Sequence, residues 1–149
     1  MLDLTRPGWR RRLTLAVIAA HRTIYRVSGG RLLGHMAGMP VLLLTTTGRR
    51  TGRSRTTPLT YLRDGDALVL IASAGGSDRA PAWSLNLDAG PDVVVRRGRR
   101  TERRRARRAS AAERDRLWPE IIATYQGYAR YQARTAREIP VYLLEANER

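Results

Sequence analysis

Residues 41–47 read VLLLTTT, residues 48–55 read GRRTGRSR and residues 56–63 read TTPLTYLR. The first run is apolar and β-branched, and it predicts a largely buried strand. The last predicts the returning strand, with Pro58 near its start, where an edge position tolerates the missing N–H. Between them lies a glycine–arginine loop. Downstream, Asp64-Gly65 is a tight-turn signal, and residues 67–74 (ALVLIASA) predict the next strand. Residues 75–81 read as a loop, and residues 82–89, with Trp83, Leu85, Asn86 and Leu87, as a short helix. Residues 92–96 and 99–107 predict a hairpin about Gly98. A helix starts at Ser110, which forms a capping box with Glu113, and Pro119 predicts a bend or a second helix. Tyr125, Tyr128 and Tyr131 follow at three-residue spacing, which on one helix gives their rings a shared face. Residues 141–144 (VYLL) predict a closing strand after Pro140. About six strands in a meander with a helix at each end predict an α+β domain, a small and mostly antiparallel barrel.

Upstream, the most apolar stretch covers residues 13–20, bounded by Arg10, Arg11 and Arg12 and then by His21 and Arg22. It is too short to cross a bilayer, which takes about 20 residues, and no cleavage-site pattern makes it a secretory signal. Apolar positions at 13, 16, 17, 20, 24 and 27 have helical spacing, so the segment reads as a basic amphipathic helix. Such a helix packs on its own domain, the commoner arrangement, or lies on an anionic membrane surface. Gly29, Gly30, Gly34 and Gly38 then break the chain. The expected organisation is a helix and glycine-rich connection over residues 1–37 and the barrel over residues 38–149.

At 149 residues the chain has the size of one domain, and with 42% hydrophobic and 28% charged residues its composition is globular. Cysteine is absent, which excludes disulfide frameworks, thiolate metal sites and cysteine nucleophiles. His21 and His35 are too few for most metal or triad sites, so no metal is expected. The net charge is +15, and all 28 basic residues are arginine. Arginine stays protonated and offers a planar fork for phosphate and carboxylate, so a polyanionic partner is the first expectation.

Placement sharpens that expectation. In the loop, Gly48 and Gly52 let backbone amides turn toward an anion, and Arg49, Arg50, Arg53 and Arg55 add charged donors beside the hydroxyls of Thr51 and Ser54. Three residues separate the glycines and arginine follows, so this is not the nucleotide P-loop. A solvated hairpin tip is the plain alternative. After the strand, Ser73, Ala74, Gly75 and Gly76 are small enough for a flat ring to approach the backbone, and Trp83 either walls that pocket or packs in the core. The tyrosines suit a half-open pocket with apolar walls and hydrogen-bonding tips. Nine arginines crowd residues 96–108, but no aromatic residues interleave with them for base stacking. They read as a charged face of exposed strands that discourages edge pairing. A non-enzymatic nucleic-acid-binding barrel using this run is the main rival reading. No carboxylate pair or acid–histidine pair emerges, so in an enzyme an organic cofactor carries the chemistry.

The segments LLLTTTGRRTGRSRTTPL, ASAGGSDRAPAWSLNL and RLWPEIIATYQGYARYQARTAREIPVYLLE resemble the deazaflavin (F420)-dependent nitroreductase and quinone reductase family, over about residues 38–145. The resemblance implies a split β-barrel of the flavin-binding type. It implies coenzyme F420, an 8-hydroxy-5-deazaflavin that carries hydride and ends in a phosphate and an acidic tail, and a quinone or nitroaromatic acceptor. A split barrel binding FMN or another ligand is the alternative within this fold. Carried over by residue, the loop around Gly48 and Gly52 would grip the phosphate and tail through Arg49, Arg50, Thr51 and Arg55. Ser73, Ala74, Gly75 and Gly76 would border the ring, while Ser73, Trp83, Tyr125, Tyr128 and Tyr131 would face the acceptor. The N-terminal helix is similar to a segment that holds relatives on the inner face of the cell membrane, so a cytoplasmic enzyme with peripheral membrane contact is expected. Three positions depart from the pattern: Arg50 for a frequent lysine, Ser54 for a frequent proline, and Ser84 for a common aromatic residue, which would widen the acceptor pocket.

Overall fold

The computed structural model describes residues 8–30, 34–36 and 38–147. Residues 1–7, 31–33 and 37 of the expected N-terminal segment, and residues 148–149, lie outside them. The strands on either side of the glycine–arginine loop are β2 (Met39–Thr47) and β3 (Ser54–Thr60), paired as a hairpin with Thr47 opposite Ser54 and Leu43 opposite Pro58. A two-residue strand, β1 (His35–Met36), pairs with the start of β2; it is too short for any alternation to announce it. After Tyr61 the chain continues as β4 (Leu62–Asp64), turns at Gly65 with φ 57°, and returns as β5 (Ala67–Ile71). The predicted single returning strand is therefore two, divided at Tyr61. β6 (Asp92–Arg97), β7 (Arg100–Arg108) and β8 (Val141–Ala146) complete the sheet.

The strands are all antiparallel, in the order β3–β2–β6–β7–β8–β5–β4. β3 and β4 end this strip yet follow one another in the chain, so Tyr61 joins the two ends and curls the strip into a split barrel. The expected meander is corrected: β2 lies beside β6, and β5 beside β8. Alternation reports which face a residue takes, not which strand it pairs with. The barrel interior follows from period two. Leu42 and Leu44, Leu68 and Leu70, Val93 and Val95, and Tyr142 and Leu144 all point inward and are buried. The helix α2 (Ala82–Ala89) plugs this interior with Trp83 and Leu87.

Outside, α3 (Ala111–Thr124) and α4 (Gly127–Ala133) bury Leu117, Ile121 and Tyr128 against Val69, Ile71, Val141 and Leu143, the opposite faces of β5 and β8. The capping box forms as expected, Ser110 Oγ accepting from Glu113 N and the Glu113 carboxylate from Ser110 N. Pro119, however, neither ends nor divides α3. Pro119 and Asp115 are both exposed, so the carbonyl deprived of its donor can face water.

The long helix α1 (Gly8–Ser28) corrects the packing expectation. Its C-terminal end docks through Tyr25, which is 1% exposed against Val41 and Leu43, donates to Val41 O and accepts from Gly98 N. The predicted apolar stripe does not dock: Leu13, Val17, Ile24 and Val27 are exposed, Val27 at 84%. Ile18, His21, Arg22, Tyr25 and Ser28 form the more covered face instead. Among the described residues, no helix is long and apolar enough to cross a membrane.

Candidate functional site

A cavity of about 330 Å3 opens between the end of β3, the segment after β5, α2 and α4. Its apolar floor comes from Leu59, Leu70, Ile71 and Met39, with the half-exposed Met36 of β1 at its edge. Ser73, Ala74 and Gly75 form one wall, and Trp83, Tyr125, Tyr128 and Tyr131 the rest. Both readings of Trp83 hold, since it lines the cavity while its ring meets Tyr142 edge-on at 5.8 Å in the barrel core.

The tyrosines converge, but not from one helix. Tyr125 caps the end of α3 in an extended conformation, whereas Tyr128 and Tyr131 lie on α4. Three-residue spacing predicts a shared face only if the helix is continuous, and the break at residue 125 brings the rings together another way. They form an edge-to-face triangle with centroid separations of 5.3, 6.0 and 6.1 Å. Gly127 permits it: a Cβ there would collide with the Tyr125 ring. Tyr128 Oη bonds Thr60 Oγ1 at 3.1 Å, and the Tyr125 and Tyr131 hydroxyls bond each other at 3.2 Å. Burial pushes the Tyr128 pKa up, and the hydrogen bond that neutral Tyr131 makes to Tyr125, followed by burial, raises that of Tyr131. Both therefore stay neutral donors at ordinary pH.

The wall at 73–76 is unusual in its backbone. Ser73 is right-handed, and Ala74 (φ 46°), Gly75 (φ 65°) and Gly76 (φ 83°) are left-handed; Ala74 is the one non-glycine residue with positive φ among the described residues. A right-to-left sequence turns successive N–H groups to one side. The N–H groups of Ser73, Ala74 and Gly75 meet no acceptor among the described residues, whereas those of Gly76 and Ser77 bond Ser73 O and Ala74 O. A Cβ on Gly75 would stand in open space, and one on Gly76 would press on the Tyr131 backbone.

The glycine–arginine loop does not line the cavity. Gly48 N bonds Arg53 O and Gly52 N bonds Gly48 O, which tightens the turn, and Gly52 takes φ 70°. Arg49 N bonds Asn86 Oδ1, and Asn86 Nδ2 reaches Thr46 Oγ1, so α2 holds the loop three residues beyond its cavity-lining Trp83. The side chains of Arg49, Arg50, Arg53 and Arg55 are exposed, with no carboxylate paired to them among the described residues. Arg55, Thr57 and Leu59 share a face of β3 by alternation, and from Arg55 to the cavity-lining Leu59 is about 13 Å. A ligand with a flat head and an extended anionic tail has the shape to span both.

Ser84 is corrected. It is 1% exposed and donates to Pro81 O, and its side chain does not line the cavity. Sequence reasoning missed Leu59, Thr60, Met39 and Gly127; a glycine between two tyrosines was the available signal for the last. Among the described residues, no group of acidic or histidine side chains could hold a metal.

A family model described as F420H(2)-dependent quinone reductase matches residues 17–146. An F420H(2)-dependent quinone reductase of Mycobacterium tuberculosis is 40% identical over 148 residues, covering 96% of this chain and 98% of the relative. A solved F420-H2 dependent reductase superposes with a TM-score of 0.65 at 36% identity, over 71% of this chain and 94% of the other. A second solved structure, described as a domain-swapped dimer, has a TM-score of 0.67 at 31% identity, over 93% of this chain and 98% of the other.

Proposed function

The chain belongs to the F420H(2)-dependent quinone reductase family, and we propose how its own residues divide the work of passing a hydride from reduced coenzyme F420 to a quinone. The observation that carries the assignment is the cavity itself. One wall has three backbone N–H groups and the loop four arginine side chains without a partner among the described residues, the other wall carries tyrosine hydroxyls, and Arg55 of the loop's end shares the strand face of the cavity-lining Leu59.

The exposed side chains of Arg49, Arg50, Thr51 and Arg55 would hold the phosphate and acidic tail of F420; the expected turning of the glycine amides toward the anion is corrected, because those of Gly48, Arg49, Gly52 and Arg53 are bonded within the protein. Ser73, Ala74 and Gly75 would border the ring, with Gly76 buried behind them against Tyr131, and Trp83 would flank it. When bound, F420H2 supplies the hydride. Leu59, Leu70 and Ile71 keep water from the contact, which strengthens every hydrogen bond inside. Tyr131, Tyr125 and Tyr128, with Ser73 Oγ, hydrogen-bond the acceptor oxygens, where negative charge grows as the hydride arrives. Neutral hydroxyls suit that task because they donate without introducing a competing anion. Nitroaromatics, flat and oxygen-bearing, are proposed as further acceptors for the same cavity.

Titration with F420 and with FMN, followed by fluorescence, tests the assignment, together with oxidation of F420H2 by menadione. Saturable F420 binding at defined stoichiometry and menadione-dependent oxidation are expected. Preference for FMN would overturn it.

The exposed stripe of α1 supports peripheral contact with the inner face of the cell membrane. Leu13, Val17, Ile24 and Val27 occupy one flank, and the exposed Arg12 and Arg26 lie on the other side of the helix together with the exposed Leu15. Sedimentation with anionic phosphatidylglycerol vesicles, lost in Val17→Glu/Ile24→Glu, is the expected result; equal sedimentation of the double variant removes this role.

A further inference from the structure

Three carbonyl oxygens behind the cavity wall converge on Arg137, while Ala74 O accepts from Ser77 N and Gly75 O from Arg134 Nη1 at 3.5 Å. Arg137 Nε donates to Ser77 O at 2.8 Å, while its Nη2 donates to Ala72 O at 3.1 Å and Ser73 O at 3.0 Å. Arg137 is partly buried, lies in the connection from α4 to β8, and pairs with no carboxylate among the described residues. A neighbouring latch fixes the same segment: Thr135 Oγ1 donates to Asp78 Oδ1 at 2.8 Å and accepts from Arg137 N at 3.3 Å.

We propose that Arg137 is a positioning residue for hydride transfer, acting through the 73–76 turn. Left-handed backbone at Ala74 is disfavoured for any residue with a Cβ, so it persists only where its surroundings over-determine it. The guanidinium fork does so by drawing the carbonyls of residues 72, 73 and 77 to its own side. The 72–73 and 73–74 peptide planes are thereby oriented with the Ser73 and Ala74 N–H groups on the side away from the guanidinium, while the plane that carries the Gly75 N–H is held through Ala74 O, which accepts from Ser77 N. The positive charge behind those peptides further polarises the N–H groups. Their recipient is a carbonyl oxygen of a flat conjugated ring, belonging to the cofactor or to the quinone.

The inference rests on the F420 reading, so its test includes an arm that needs no F420. In the full-length protein, Arg137→Ala is compared with Arg137→Lys, Ala74→Gly and the double variant Arg137→Ala/Ala74→Gly. Amide hydrogen exchange across residues 72–77 is measured without ligand, and F420 titration and menadione turnover follow. In Arg137→Ala, exchange at the turn should rise and kcat/KM should fall about tenfold or more, as loss of charge-assisted bonds implies. Millimolar guanidinium should restore part of the activity. Ala74→Gly should recover part of the loss in the double variant, because glycine accepts the left-handed backbone without help. Weakened F420 affinity marks the cofactor as recipient, and lowered kcat at unchanged affinity marks the quinone. Wild-type exchange and kcat/KM in Arg137→Ala would overturn the proposal, as would strictly additive losses with no guanidinium rescue. If Arg137→Ala does not fold, Arg137→Lys carries the same test, since it keeps the charge and loses the fork; wild-type values there overturn it equally. Should wild-type protein ignore F420, the reading fails, while the exchange arm still decides whether Arg137 sets the turn.

Discussion

Two arginine clusters in this molecule have opposite fates. The run in β6 and β7 is the denser, yet most of its charge is engaged internally. Arg104, 5% exposed, donates to Asp66 O, Leu144 O and Glu102; Arg97 meets Glu102 at 2.7 Å; Arg107 meets Glu113 and Glu145; Arg108 meets Asp88. The glycine–arginine loop has fewer arginines and, among the described residues, no carboxylate partner. Density of charge is thus a poor guide to binding, and absence of an internal partner is a better one. The edge-protection reading of the run is corrected too: β7 lies between β6 and β8, so its arginines have no edge to guard, and they tie strands together instead.

The largest effect should come from the buried member of the dense run. Arg104→Ala leaves Glu102 with a weakened cage and two carbonyls without their donor, a change of about 3 kcal/mol in stability by urea denaturation. Arg55→Ala should move stability by less than about 0.5 kcal/mol and instead weaken F420 binding by about tenfold, the loss expected for one charge-assisted bond. Equal shifts of the two variants in both measurements would erase the contrast between the clusters. Salt sharpens it: F420 affinity should fall with ionic strength in wild type and fall less in Arg55→Ala, because exposed charges are screened and buried ones are not.

How much of this was legible follows the same division between local and distant causes. The hairpin at 39–60, the helix at 82–89, the Gly98 turn and the Ser110–Glu113 box were readable because neighbouring residues enforce them. The strand order was not, because Leu44 opposite Val95 and Leu70 opposite Tyr142 are pairings that no local pattern encodes. The tyrosine cluster was readable in its members and wrong in its mechanism: Tyr125 arrives from a helix end and not from a common helix. The apolar stripe of α1 was readable, but Tyr25 alone settles which face docks. Glu102 stands inside the run, but which of the other arginines are spent depended on Asp88, Glu113 and Glu145 arriving from three other elements.

A smaller effect is expected inside the cavity. Tyr131→Phe removes one of two mutually bonded hydroxyls and no apolar surface. Turnover with menadione should drop severalfold while F420 affinity stays within about twofold of wild type, the signature of an interaction made as charge develops. Unchanged turnover would remove Tyr131 from the reaction and leave the arginine loop as the better-supported half of the site.

The smallest effect tests whether the dense run is structural at its exposed end. Glu113 has its pKa lowered from 4.5 to about 2, chiefly by the hydrogen bond from Arg107 and then by the Ser110 backbone. A carboxyl whose folded pKa is depressed contributes stability that is present above its unfolded value and is lost as pH falls toward the folded one. The melting temperature of wild type should therefore decline as pH drops from 4.5 to about 2, beyond the general loss from charge repulsion. Glu113→Gln keeps the capping-box geometry, which accepts glutamine, but gives up the ion pair, so its melting temperature should be lower at neutral pH and converge on wild type in acid. Arg107 is 44% exposed and Glu113 26%, so screening holds the difference to a few degrees. Arg55→Ala, lacking any carboxylate partner to lose, should track wild type through the whole acid branch; a convergence like that of Glu113→Gln would mean that the loop hides an ion pair and that its charge is not free for a ligand.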